Sequence, residues 1–163
     1  MKIAIYPGTF DPITSGHLDL IIRSLKFVDK LYVAIAADST KATLFSVDER
    51  MALIKEELIS NNITNAEVSV FSGLMVDYAA KNSASIVIRG LRAVSDFEYE
   101  FQMHAVNSLL NGNIQTIFLP AMPKLQLASS KIVKEIVKLG GDAGELVSAN
   151  VLQKLHDKYN NPK

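Results

Sequence analysis

Lys2-Ile3-Ala4-Ile5-Tyr6-Pro7-Gly8-Thr9-Phe10-Asp11-Pro12-Ile13-Thr14-Ser15-Gly16-His17 passes from a short β-branched run, through a tight polar loop, into the apolar-periodic stretch 18–27. Strand, loop and helix start in that order present free backbone N–H groups to an anion. Gly8 and Gly16 permit close backbone approach. Thr9 supplies a hydroxyl, and Thr14 or Ser15 is placed to cap the helix. His17 falls in the first turn, where its ring can donate to a phosphate beside the positive end of the helix dipole. Read alone, the same residues also fit a Gly/Pro-rich connector with a surface histidine.

Outward from this stretch, short apolar runs at 3–6, 31–36, 67–71, 85–88 and 116–119 alternate with helix-period segments. The runs are continuous, as in strands covered on both faces. The alternation predicts an α/β fold, a doubly wound Rossmann-like five-stranded parallel sheet with helices on both faces. Such sheets bind ligands beyond the carboxyl ends of their strands. Ser46-Val47-Asp48-Glu49 reads as a capping box for a helix to about residue 59, and Ser95-Asp96-Phe97-Glu98 as one for a helix to about residue 110. Gly140-Gly141 stops a helix that begins at Ser129 or Ser130, and 146–159 reads as a last helix.

The 163 residues are expected to form one domain, 1–163, with a composition of 48% hydrophobic and 21% charged residues. Seventeen Lys and Arg balance seventeen Asp and Glu, so no long-range field attracts nucleic acid or an anionic membrane. An anionic substrate must then be held by locally clustered donors. The absence of cysteine excludes disulfides, thiolate nucleophiles and Cys-based metal sites. The three histidines, at 17, 104 and 156, lack metal-ligand spacing, and no apolar run is long enough for a membrane span. A cytoplasmic location is the expectation.

Three further clusters bear on chemistry. Ile88-Arg89-Gly90-Leu91-Arg92 ends an apolar run with two guanidinium groups suited to phosphate oxygens, or with two solvated arginines neutralised by Asp96, Glu98 or Glu100. Lys41 follows the second strand and so emerges at the ligand edge. Ala128-Ser129-Ser130-Lys131 opens a helix, as a second anion site or as ordinary serine N-capping. In the helix ending near residue 110, Phe97, Tyr99, Phe101, Met103, Ala105, Val106, Leu109 and Leu110 wrap around more than one face. A crossover helix needs one apolar stripe, so the excess points to an oligomer, or to burial between two elements of one subunit.

In this order the clusters closely resemble the phosphopantetheine adenylyltransferase family, of the nucleotidyltransferase superfamily that carries a His-x-Gly-His motif; Thr14-Ser15-Gly16-His17 is the variant with Thr in first position. The resemblance spans nearly the whole chain, through the run at 6–17, FSVDER at 45–50, IRGLRAVSDFEYE at 88–100 and SSKIVKEI at 129–136. It implies transfer of the adenylyl group of ATP to 4′-phosphopantetheine, giving dephospho-coenzyme A and pyrophosphate, in a homohexamer. It implies that His17 stabilises the transition state on the phosphates of ATP, with Lys41 and Arg89 assisting, and that Thr9 touches both substrates. Lys41, Met75 and Arg89 would contact phosphopantetheine. Phe10, Gly90, Leu91, Arg92, Glu100, Ser129 and Ser130 would line the ATP site. The chain departs from the family pattern at Ala42 and Thr43, at 125–131, where Lys131 stands in place of a third serine, and at 147–150.

The chemistry suits these residues. A phosphate monoester is largely dianionic at pH 7 and needs no general base. In-line positioning and charge neutralisation carry the transfer. No acidic cluster suggests a protein-held metal, so Mg²⁺ would arrive with ATP. Two other readings remain open at this point: a nucleotidyltransferase for another phosphorylated acceptor, such as nicotinate mononucleotide, and a non-catalytic flavodoxin-like nucleotide-binding module.

Overall fold

The computed structural model describes residues 1–38 and 42–160, apart from the Ser95 side chain. Its sheet has five strands, β1 (Ile3–Gly8), β2 (Lys30–Ala36), β3 (Ala66–Phe71), β4 (Ile86–Leu91) and β5 (Gln115–Pro120), in the order β3-β2-β1-β4-β5. Every neighbouring pair is parallel. The crossovers use α1 (Ser15–Ser24), α2 (Val47–Ser60), α3 (Met75–Lys81) and α4 (Val94–Leu110); α5 (Ser130–Lys138) and α6 (Ala149–Asn160) follow the sheet.

The unbroken apolar runs have the cause their pattern implies. Ala4 and Tyr6 of β1, with Val33 and Ile35 of β2, enter a core shared with Ile21, Ile54, Val133 and Leu155 from α1, α2, α5 and α6. The intervening Ile5 and Ala34 enter a smaller core on the opposite face with Val76 and Ala79 of α3. Alternate residues of each strand are therefore buried, but against different helices.

Three boundaries differ from the sequence reading. β4 continues through Arg89, Gly90 and Leu91, which pair with Phe118, Leu119 and Pro120; only Arg92 lies beyond it. α6 starts at Ala149, after Leu146 and Val147 turn back on Ala143. α4 begins at Val94 with Ala93 at its cap, not at Ser95. Asp96 explains that shift: its carboxylate accepts from the Arg92 N–H and the Arg92 guanidinium, so the chain enters the helix two residues early. The capping box at Ser46–Glu49 and the glycine stop at Gly140 (φ 80°) stand as read.

β1 and β4 are adjacent, yet the chain leaves β1 toward β2 and leaves β4 toward β5. Their two exit loops diverge and open a crevice at the carboxyl edge, the topological switch point of the sheet.

Candidate active site

A cleft of about 1140 Å³ occupies that crevice, and Thr9, Phe10 and Asp11 of the first loop line it with Gly16 and His17. The loop is shaped by packing. Phe10 adopts φ 49°, and its ring, 2% exposed, lies edge-on between Tyr6 (5.3 Å) and His17 (5.0 Å). A Cβ on Gly8 would come within 2.9 Å of that ring, so glycine is required there. Only the Phe10 backbone can therefore meet a ligand; the side chain supports His17.

Thr14 caps α1 and His17 is the third residue of its first turn. The Thr14 N–H donates to His17 Nδ1 at 3.0 Å, while the Thr14 hydroxyl donates to Ala128 O at 2.8 Å. With Nδ1 accepting, the ring proton belongs on Nε2. Burial, and then the neighbouring Arg92 charge, push the His17 pKa down to about 4. The ring is thus a neutral, oriented N–H donor at pH 7. Burial also pushes the Tyr6 hydroxyl up, with Arg89 and Arg92 acting the other way.

Arg89 reaches into the crevice from β4. Its Nε and Nη2 donate to the two Glu100 oxygens at 2.6 Å each, and Nη1 donates to Pro7 O at 3.0 Å. Burial works against its charge, but the Glu100 fork outweighs that and holds its pKa above the ordinary value. Five guanidinium protons minus these three leave two for a ligand. Arg92 pairs with Asp96 through Nε at 3.1 Å. Both arginines are therefore neutralised by acids of α4, although they still face the cleft.

Thr9, Met75, Gly90 and Leu91 also line the cleft. At Gly90 a Cβ would lie 2.4 Å from Leu20 Cδ1, so the glycine also lets α1 press onto β4. Ser129 and Ser130 stand at the cleft with their side chains engaged: Ser129 Oγ caps α5 by accepting from Ile132 N–H at 3.2 Å, and Ser130 Oγ donates to Pro12 O at 2.7 Å. Lys41 lies outside the described residues.

Sequence reasoning missed Asp11, Arg50 and Lys134. Asp11 is 4% exposed and pairs with Lys134 of α5, and Arg50, 2% exposed, donates to Thr9 O at 2.7 Å. An acid inside a loop suited to anions was the available signal. Among the described residues, Asp11, Asp38, Asp96 and Glu100 face the cleft together with Arg89, Arg92, Lys131 and Lys134, four charges of each sign. No group of three or more His, Asp or Glu among the described residues is placed to hold a metal ion.

Comparison with known proteins agrees with this geometry. Residues 5–136 match the cytidylyltransferase-like family model. The chain is 50% identical to the phosphopantetheine adenylyltransferase of Caldanaerobacter subterraneus subsp. tengcongensis, over 98% of both chains. It is 47% identical to that of Rhodospirillum rubrum, over 97% of this chain and 93% of the relative. Its fold resembles Plasmodium falciparum nicotinic acid mononucleotide adenylyltransferase with a TM-score of 0.67 at 16% identity, covering 99% of each chain. A five-stranded switch-point crevice holding Thr14-Ser15-Gly16-His17 and Arg89, in a chain half identical to those relatives along nearly its whole length, belongs to the phosphopantetheine adenylyltransferase family.

Proposed function

We propose that the chain, acting as one nucleotidyltransferase domain, transfers the adenylyl group of ATP to 4′-phosphopantetheine, giving dephospho-coenzyme A and pyrophosphate. One observation carries the residue assignment: a neutral His17 whose Nδ1 is occupied by the Thr14 N–H, leaving Nε2–H as donor beside Arg89 and Arg92. An oxygen of the acceptor's phosphate forms a bond to the α-phosphorus as the bond to the β-phosphate bridge breaks, and pyrophosphate takes the electron pair. The dianionic acceptor needs no base. His17 donates to a non-bridging α-phosphate oxygen as charge accumulates there, and the remaining Arg89 protons meet the acceptor phosphate. Thr9 lies between the two, with Met75 on the acceptor side and Gly90, Leu91 and Arg92 on the nucleotide side. Glu100 stands on the nucleotide side and holds the Arg89 guanidinium that meets the acceptor phosphate. Ser129 and Ser130 contribute through the α5 start, where their amides and Lys131 face the phosphate tail.

Mg²⁺ belongs to the proposal as a companion of ATP. The donor set fits an ion held by the nucleotide's phosphates, because Asp11, Asp38, Asp96 and Glu100 each already accept from protein donors. When bound, it would neutralise phosphate charge. The proposal includes a cytoplasmic location; no helix of the described residues is long and apolar enough to cross a membrane. It also includes a homohexamer, supported by the apolar surface of α4, on which no described residue is fully buried.

The test is pyrophosphate release with ATP, Mg²⁺ and 4′-phosphopantetheine. His17→Ala is expected to lower kcat by about two to three orders of magnitude with little change in KM, because its contact strengthens in the transition state. Release only with another phosphorylated acceptor would overturn the acceptor assignment, and ATP binding without release would favour a non-catalytic module.

A further inference from the structure

Asp11 is a carboxylate in a loop that otherwise suits anions, and it is 4% exposed. Such burial is costly unless donors replace the lost water. Three do: Phe45 N–H at 2.8 Å on Oδ1, Leu44 N–H at 2.9 Å on Oδ2, and Lys134 Nζ, also on Oδ2. A second tie runs in the opposite sense. Arg50 donates Nη1 to Thr9 O at 2.7 Å and Nε to Ser46 O at 3.3 Å. An acid in the first loop thus grips the amides of the second, and a base at the start of α2 grips a carbonyl of the first. Ala42 and Thr43, directly before the gripped Leu44, line the cleft together with Gly73 and Met75.

We propose that Asp11 is a positioning residue: by holding the Leu44 and Phe45 amides it sets the wall formed by Ala42 and Thr43, and so the affinity for the acceptor. It acts through that wall and touches neither substrate. The inference rests on the acceptor side assigned above.

Asp11→Asn tests it. The amide keeps the shape but offers one acceptor oxygen in place of two, and turns an NH₂ toward groups that are themselves donors. The KM for 4′-phosphopantetheine is expected to rise at least about tenfold, while the KM for ATP and kcat stay within about threefold. A merely structural Asp11 would lower the melting temperature and the active fraction, hence apparent kcat, and leave both KM values unmoved; that result overturns the proposal. Hydrogen exchange on the unmodified protein gives a readout independent of any variant's folding. The Leu44 and Phe45 amides are expected to exchange at least about a hundredfold more slowly than unprotected amides. Exchange at the unprotected rate overturns the tether whatever the kinetics. If the unmodified protein turns over ATP but not 4′-phosphopantetheine, the acceptor assignment alone falls, and exchange still decides the tether.

Discussion

At pH 7 the His17 ring is uncharged because burial, and then Arg92, push its pKa down to about 4, and the Thr14 amide occupies Nδ1. A neutral ring that donates from a fixed position stabilises developing charge without the cost of reorganising in the transition state. NMR of the ring nitrogens is expected to show Nε2 protonated and Nδ1 bare from pH 7.5 down to about 5.5, where an ordinary histidine of pKa about 6.5 would be mostly protonated. Protonation in that range would contradict the tautomer lock. The sign for stability follows from the same shift. The unfolded histidine takes up its proton near pH 6.5 and the folded one near 4, so the unfolded state holds more protons between them. Stability is therefore fully present above about pH 6.5 and falls as the pH drops toward 4. Denaturant midpoints should show this slope, reduced in His17→Ala.

Among the elements, α5 shows how one segment ties the fold to the wall of the cleft. Ser129 caps it and Ser130 ties it to Pro12. Ser129→Ala should cost about 1 kcal/mol in chemical denaturation, and Ser129→Gly only a few tenths. If instead the hydroxyl is a phosphate ligand, both variants would raise the KM for ATP equally. The sheet, its order of helices and the strand–loop–helix passage at the first loop were legible because periodicity and glycine placement report directly on local backbone. The Ser46–Glu49 box was legible for the same reason. The start of α4 was not, because Asp96 takes its donors from Arg92 at the end of a strand, and the competing Ser95 pattern is a purely local one. The sequence places Arg89 as a cation at the carboxyl edge of the sheet, but its fork on Glu100 depends on a helix returning over that edge, which no local window reports. Asp11 was quoted within the motif and given no role for a similar reason: its partners lie 33, 34 and 123 residues away.

For the whole molecule, α4 is the surface that the single chain leaves unfinished. Phe97, Tyr99, Phe101, Val106, Leu109 and Leu110 are all exposed on it. Burial between two elements of one subunit, the alternative its pattern allowed, does not occur. Phe97 and Phe101 stack at 5.6 Å, an apolar pair presented outward. Sedimentation at micromolar concentration is expected to show species well above 17.9 kDa. Phe101→Glu should shift the distribution toward that mass, and an unchanged profile would place the contact elsewhere.

Among the described residues of the cleft, the balance of four acids against four bases has a kinetic consequence. A pocket whose described acids and bases are equal in number, in a chain of zero formal charge, exerts little pull on a distant nucleotide. ATP should arrive by unguided diffusion and be captured by short-range contacts, its phosphates taking Arg92 protons that Asp96 leaves unused. Stopped-flow association rates should then change by less than about threefold between roughly 0.02 and 0.3 M salt, whereas a charge-focusing cleft would slow far more steeply. The gain from such matching is selectivity, because a stray polyanion finds no excess positive charge among the described groups of the cleft.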